Sequence, residues 1–95
     1  MDDKLIKVLE EMSMVLEKKS NDYGNSWKAL GLKGLFCQIH SKYFRLKNLL
    51  WLNKEQKVKN ESVRDSLVDL ANYCILSVAL LDDKKLSTEK KMLGE

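Results

Sequence analysis

The chain has 95 residues, 44% hydrophobic and 33% charged, with a formal net charge of +3. That is one globular domain, outside the disordered regime, and it buries roughly 60–65% of the surface of its unfolded state. The weak charge comes without a dense basic run carrying interleaved aromatics, which argues against a nucleic-acid partner, and no apolar run is long enough to span a bilayer.

Pro is absent, and three of the four Gly lie between positions 24 and 34. Long helices are the expectation elsewhere. Residues 3–20 carry Leu5, Val8, Leu9, Met12, Val15 and Leu16 at the spacing of one helical face. Asp2 and Asp3 precede that face, and Lys18 and Lys19 follow it, both in the sense that complements a helix dipole. Met12 and Met14 read as core filler. Residues 21–34 read as a loop, with Asn21, Asp22, Gly24, Gly31 and Gly34 as turn formers and a short helical turn near Ser26–Leu30. Tyr23, Trp27, Leu30 and Leu32 are too apolar for a plain linker, and ordered loops of this length tend to carry function.

A second helix is predicted over 35–52, with Phe36, Ile39, Tyr43, Leu46 and Leu50 on its core face. Residues 53–59 form a polar connection, and Asn60 is a suitable N-cap for a third helix over 61–82. Val63, Leu67, Leu70, Cys74, Val78 and Leu81 make the apolar face of that helix, widened by Val68, Ile75 and Leu76. From Leu70 to Leu81 it is apolar almost all round, more than two other helices can cover. A homodimer or homotetramer is therefore expected. Residues 84–95 read as a flexible, charged tail with one turn after Ser87. The result is a single all-α domain over 1–95, an antiparallel bundle of three main helices. Cys37 and Cys74 are predicted to be buried free thiols, which suits a reducing cytosol. With an acidic start that lacks a signal-peptide core, a cytoplasmic protein with no membrane contact is expected.

Two polar stripes interrupt the apolar helices. Gln38, Lys42 and Arg45 fall at i, i+4, i+7 in the second helix, and Asp65, Asp69 and Asn72 at the same spacing in the third. Carboxylates one turn apart repel unless something positive lies between them. A divalent cation fills that role, and Mg²⁺ takes one or two carboxylates together with phosphate oxygens. Lys42 or Arg45 from the neighbouring helix fills it equally well, giving no more than a salt-bridged pair of helices. Lys42 and Arg45 would clamp phosphates as a point charge and a planar fork, or else form a solvated face. Tyr23, Trp27 and Tyr73 are able to stack on a base, or to pack under the loop. His40 reads as a surface or packing residue.

The string Lys19-Ser20-Asn21-Asp22-Tyr23-Gly24, then Trp27, Lys42-Tyr43-Phe44-Arg45-Leu46, Asp65 and Asp69-Leu70-Ala71-Asn72-Tyr73 resembles the nucleotide modification associated domain 1 family. These are small bacterial and phage proteins, grouped here with the all-α, MazG-like nucleoside triphosphate pyrophosphohydrolases. The resemblance spans about Lys19 to Leu81. It implies an oligomeric all-α domain that handles a nucleotide or nucleotide-derived molecule. MazG-like enzymes split a triphosphate into a monophosphate and pyrophosphate, using Mg²⁺ held by carboxylates from two helices. On that pattern Asp65 and Asp69 are catalytic, and Glu61, Asp65 and Asp69 hold Mg²⁺. Asp22, Tyr23, Gln38, Lys42, Arg45, Asn72 and Tyr73 contact the nucleotide. The chain departs from the pattern where the second helix usually carries E-x-x-E, since Gln38, Lys42 and Arg45 stand there instead. A non-catalytic module that sequesters a nucleotide is the alternative, and it needs no metal.

Overall fold

The structure is a computed structural model. It describes the backbone of residues 1–23, 26–52 and 63–92, and the side chains of 1–21, 28–52 and 63–83. Helix α1 spans Asp3–Tyr23, α2 spans Ser26–Leu46 and continues into a π-helical turn over Lys47–Trp51, and α3 spans Val63–Met92. No strand occurs among the described residues. Asp2 caps α1: its carboxylate accepts a hydrogen bond from the Lys4 amide at 2.7 Å, and its carbonyl accepts one from the Ile6 amide at 3.1 Å.

Ion pairs define the packing. Lys28 meets Asp83 at 3.6 Å and Lys42 meets Asp69 at 3.1 Å. Position thus rises along α2 as it falls along α3, so these two helices are antiparallel. From α1, Glu11 takes a two-pronged grip from the Arg64 guanidinium and Lys19 reaches Asp69, so α1 runs in the same sense as α3. This is an up-down-up three-helix bundle, the predicted architecture.

Several boundaries differ from the sequence expectation. The predicted 21–34 loop is largely helical, because α1 runs on to Tyr23 and α2 begins at Ser26. A break remains at Gly31, whose backbone (φ 67°, ψ 178°) lies in a region open essentially to glycine. It separates the expected helical turn at Ser26–Leu30 from the body of α2. A Cβ at Gly34 would come within 2.9 Å of the Leu30 Cβ, so the two segments approach closely there. Helix α3 also extends to Met92, where a tail was predicted from 84. The cap at Asn60, the connection at 53–59 and Glu61 lie outside the described residues.

The larger correction concerns which faces are buried. Leu35, Leu46 and Leu80 are the buried apolar side chains among the described residues. On α2 the side facing α3 carries Leu35, Gln38, Ile39, Lys42, Arg45 and Leu46, all at least half-buried. Phe36, Tyr43 and Leu50, predicted as core, are exposed. In α3 the inward residues are Ser66, Asp69, Asn72, Leu76 and Leu80, while Leu67, Cys74, Val78 and Leu81 point out. Cys37 and Met14 are exposed too, against expectation. The physical reason is complementarity of charge: the cationic stripe of α2 and the acidic stripe of α3 attract each other and turn both polar faces inward. The π turn adds to this by altering the phase of the helix after Leu46, which swings Leu50 and Trp51 outward. The radius of gyration is 16.3 Å, against about 12–13 Å for a compact chain of this length.

Candidate functional site

Asp69 is the centre of the inter-helix region. Its Oδ1 accepts a hydrogen bond from Lys19 Nζ at 2.8 Å, and its Oδ2 lies 3.1 Å from Lys42 Nζ. The three residues come from three helices. Burial pushes the Asp69 carboxyl up, but the hydrogen bonds from Lys19 and Lys42 outweigh it and hold the group below the usual carboxylate range. Lys42 is only 16% exposed at its side chain, whereas Lys19 is 41% exposed and also lies 5.8 Å from the centre of the Tyr73 ring.

Asn72 lies one turn further along α3, on the same inward face. It is 97% buried, since its relative exposure is 3%, and neither atom of its carboxamide has a hydrogen-bond partner among the described residues. A buried amide left unpaired typically costs about 1–3 kcal/mol, so native structures rarely keep one without a reason. Gln38 and Arg45 flank Lys42 by one turn on either side and are half-buried. Ser77 donates to the Tyr73 carbonyl at 2.8 Å, so its hydroxyl is turned back onto its own helix.

The predicted stripes therefore meet. Lys42, Asp69, Asn72 and Tyr73 lie in one region, with Gln38 and Arg45 on the same face of α2. Asp65 lies one turn from Asp69 towards the start of α3 and is exposed. The Asp22 and Tyr23 side chains and all of Glu61 lie outside the described residues. No cluster of three or more His, Cys, Asp or Glu side chains is placed to hold a metal among the described residues. Both oxygens of Asp69 are already engaged by ammonium groups, so that carboxylate would have to shed a lysine to ligate Mg²⁺. His40 packs on Phe44, with ring centres 5.2 Å apart, well suited to a packing residue.

Lys19 is the residue that sequence reasoning missed. It was assigned to the helix dipole, yet it sits four residues after Val15 and three after Leu16, in line with the apolar face of α1. A lysine in phase with an apolar stripe is a signal that it points inward.

The molecule is thus an all-α bundle with a polar junction where its three helices meet, Asp69 lying between Lys19 and Lys42. Residues 19–81 match the model of the nucleotide modification associated domain 1 family, well over half of the chain, and the protein belongs to that family. The match begins at Lys19 and contains every described member of the junction. Comparison with curated proteins and with solved structures gave no match. No helix among the described residues is long and apolar enough to cross a membrane.

Proposed function

We propose that the protein binds a nucleotide or nucleotide-derived molecule through its phosphates at the junction of Lys19, Lys42 and Asn72. The observation that carries this reading is the buried, unpaired carboxamide of Asn72, one turn from a carboxylate shared by two lysines. A phosphate competes with Asp69 for the same ammonium groups, and Asn72 supplies a donor and an acceptor to the same ligand. Arg45 adds a planar fork one turn from Lys42, and Gln38 and Tyr73 border the site. The family name supports a nucleotide as the ligand, and a cytoplasmic nucleotide pool is the setting that suits it.

Membership of the MazG-like pyrophosphohydrolases is the second reading, with Asp65, Asp69 and Glu61 holding Mg²⁺. It is favoured by the spacing of Asp65 and Asp69, one turn apart on α3. It requires Asp69 to exchange its lysines for the ion. One substitution separates the two. Asp69→Asn removes the competing carboxylate while keeping the shape. Calorimetry with a panel of nucleoside mono-, di- and triphosphates in EDTA should show binding that tightens in Asp69→Asn and weakens at least about tenfold in Lys42→Met. Binding that requires Mg²⁺, with release of pyrophosphate that Asp69→Asn abolishes, would establish the hydrolase instead.

A further inference from the structure

We propose, on the phosphate reading of the junction, that Glu11 and Arg64 are a positioning pair for that site. They fix the lie of α1 along α3, and so keep Lys19 at the junction when a phosphate draws it away from Asp69. The Arg64 guanidinium donates through both terminal nitrogens to the two Glu11 oxygens, one of the bonds being 2.7 Å long. A two-pronged contact of this kind sets direction as well as distance. Lys19 meets the same helix at Asp69, at 2.8 Å. The two contacts are eight residues apart on α1, about 12 Å along its axis, and five apart on α3, about 8 Å.

Position along α1 gives the pair its leverage. Residues 1–10 are exposed throughout, whereas Glu11, Met12, Val15, Leu16 and Lys19 are partly buried. Helix α1 thus lies on the bundle by its second half, and Glu11 marks where that contact begins. A single point of contact at Lys19 resists pivoting of α1 poorly, and a second one eight residues away resists it well. The distinction matters once a ligand arrives. A phosphate that takes the Lys19 ammonium breaks its bond to Asp69, and Glu11–Arg64 then still holds α1 beside α3. Lys19 is presented to the ligand with little ordering left to do, which is how preorganisation raises affinity. Glu11 stands two turns from Lys19, so it acts on binding through Lys19 and not by touching the ligand. It lies ahead of the matched residues and Arg64 within them, so the pair ties the segment outside the family model to the segment inside it.

Calorimetry of the full chain with inorganic pyrophosphate in EDTA tests the pair. Glu11→Gln should weaken binding about threefold, a modest effect because both side chains of the pair are well exposed. In a Lys19→Met background the same change should do nothing, whereas a merely structural role would weaken both chains alike. Reversing the charges together, with Glu11→Arg and Arg64→Glu, should restore the parent affinity to within about twofold, and Glu11→Arg alone should not. That reversal decides the matter if Lys19→Met abolishes measurable binding. Hydrogen exchange without ligand should show the α1 amides beyond Glu11 exchanging faster in Glu11→Gln, with those of α2 and α3 unchanged. Pyrophosphate that binds the parent chain and Glu11→Gln equally overturns the proposal and leaves the phosphate reading standing. So does an equal loss in the Lys19→Met background, a charge reversal that restores nothing, or α1 exchange that does not move. Failure of pyrophosphate to bind the parent chain overturns the phosphate reading and the proposal with it.

Discussion

The two faces of α3 invert the usual arrangement of a small domain. Its inner face carries Ser66, Asp69 and Asn72, of which Ser66 and Asn72 are among the most buried side chains of the molecule. Its outer face carries Leu67, Ile75, Val78 and Leu81 in the open. Leaving three such side chains in water, when they could be buried, forgoes roughly 5–9 kcal/mol, as much as many small domains have in total. The difference teaches that apolar periodicity alone does not identify the face that is buried within the chain. It does not say whether the burying surface belongs to the same chain. Opposite charge decided which faces meet within the chain.

The comparison breaks most sharply on Leu35 against Leu81. Leu35 is fully buried on the α2 side of the inner interface, so Leu35→Ala should destabilise by about 2–5 kcal/mol at any protein concentration. Leu81→Ala should show a loss that grows as the protein is concentrated above its assembly threshold and vanishes below it. Denaturant melts at two concentrations a hundredfold apart check both. Equal concentration dependence for the two variants would mean that the faces are not distinct.

Asn72 gives the next largest effect, and its sign is unusual. Replacing an unpaired buried carboxamide by an apolar group of similar shape removes a desolvation penalty. Asn72→Leu should therefore stabilise the protein by about 1–3 kcal/mol while abolishing nucleotide binding. Thermal melts with and without nucleotide read both quantities. A destabilised variant would mean that the amide is paired in the native protein, and the site would lose its main support.

How much of this was legible beforehand depends on the residue. The three helices and their antiparallel order followed from periodicity and the lack of Pro. The pairing of Lys42 with Asp69 was visible as one of two readings of the stripes. The inward turn of those stripes was not, because sequence periodicity ranks faces by hydrophobicity alone. Phe36 and Tyr43 looked like core for that reason, and Cys74 looked buried. Lys19 was missed because its position at the end of an apolar face was outweighed by its charge. The run of α2 through Gly31 and Gly34 was hidden too, since both resemble loop signals even when one serves as a kink and the other as a close contact.

Gly31 sharpens the comparison by a smaller amount. Its kink sets the direction from which the body of α2 presents Leu35 and Lys42 to α3. A Cβ there meets nothing within 4 Å, so any penalty comes from the backbone and not from crowding. Gly31→Ala should cost roughly 1–3 kcal/mol, as a non-glycine residue held in that region does. Gly34→Ala acts through the Leu30 Cβ instead and should be partly relieved by Leu30→Ala, whereas Gly31→Ala should not. A double-mutant cycle on the two pairs reads this directly.

The smallest effect is electrostatic and depends on pH. The Asp69 carboxyl is held below its ordinary range by Lys19 and Lys42, although burial opposes them. A carboxylate with a lower pKa in the folded than in the unfolded chain binds fewer protons when folded. Its stabilisation is thus fully present above the unfolded value and is lost as pH falls through the folded one. Stability should drop as the solution is acidified below about pH 4, with Asp69 contributing about 1 kcal/mol or less because Lys19 is well exposed. Glu11 moves in the same direction, chiefly through its hydrogen bond to Arg64, so the two must be separated. Comparing Asp69→Asn with Glu11→Gln in urea melts from pH 6 to pH 3 does so. Asp69→Asn should flatten part of the acid limb at the inner junction. An acid limb identical to that of the parent would show that the carboxylate is not held by its lysines in solution.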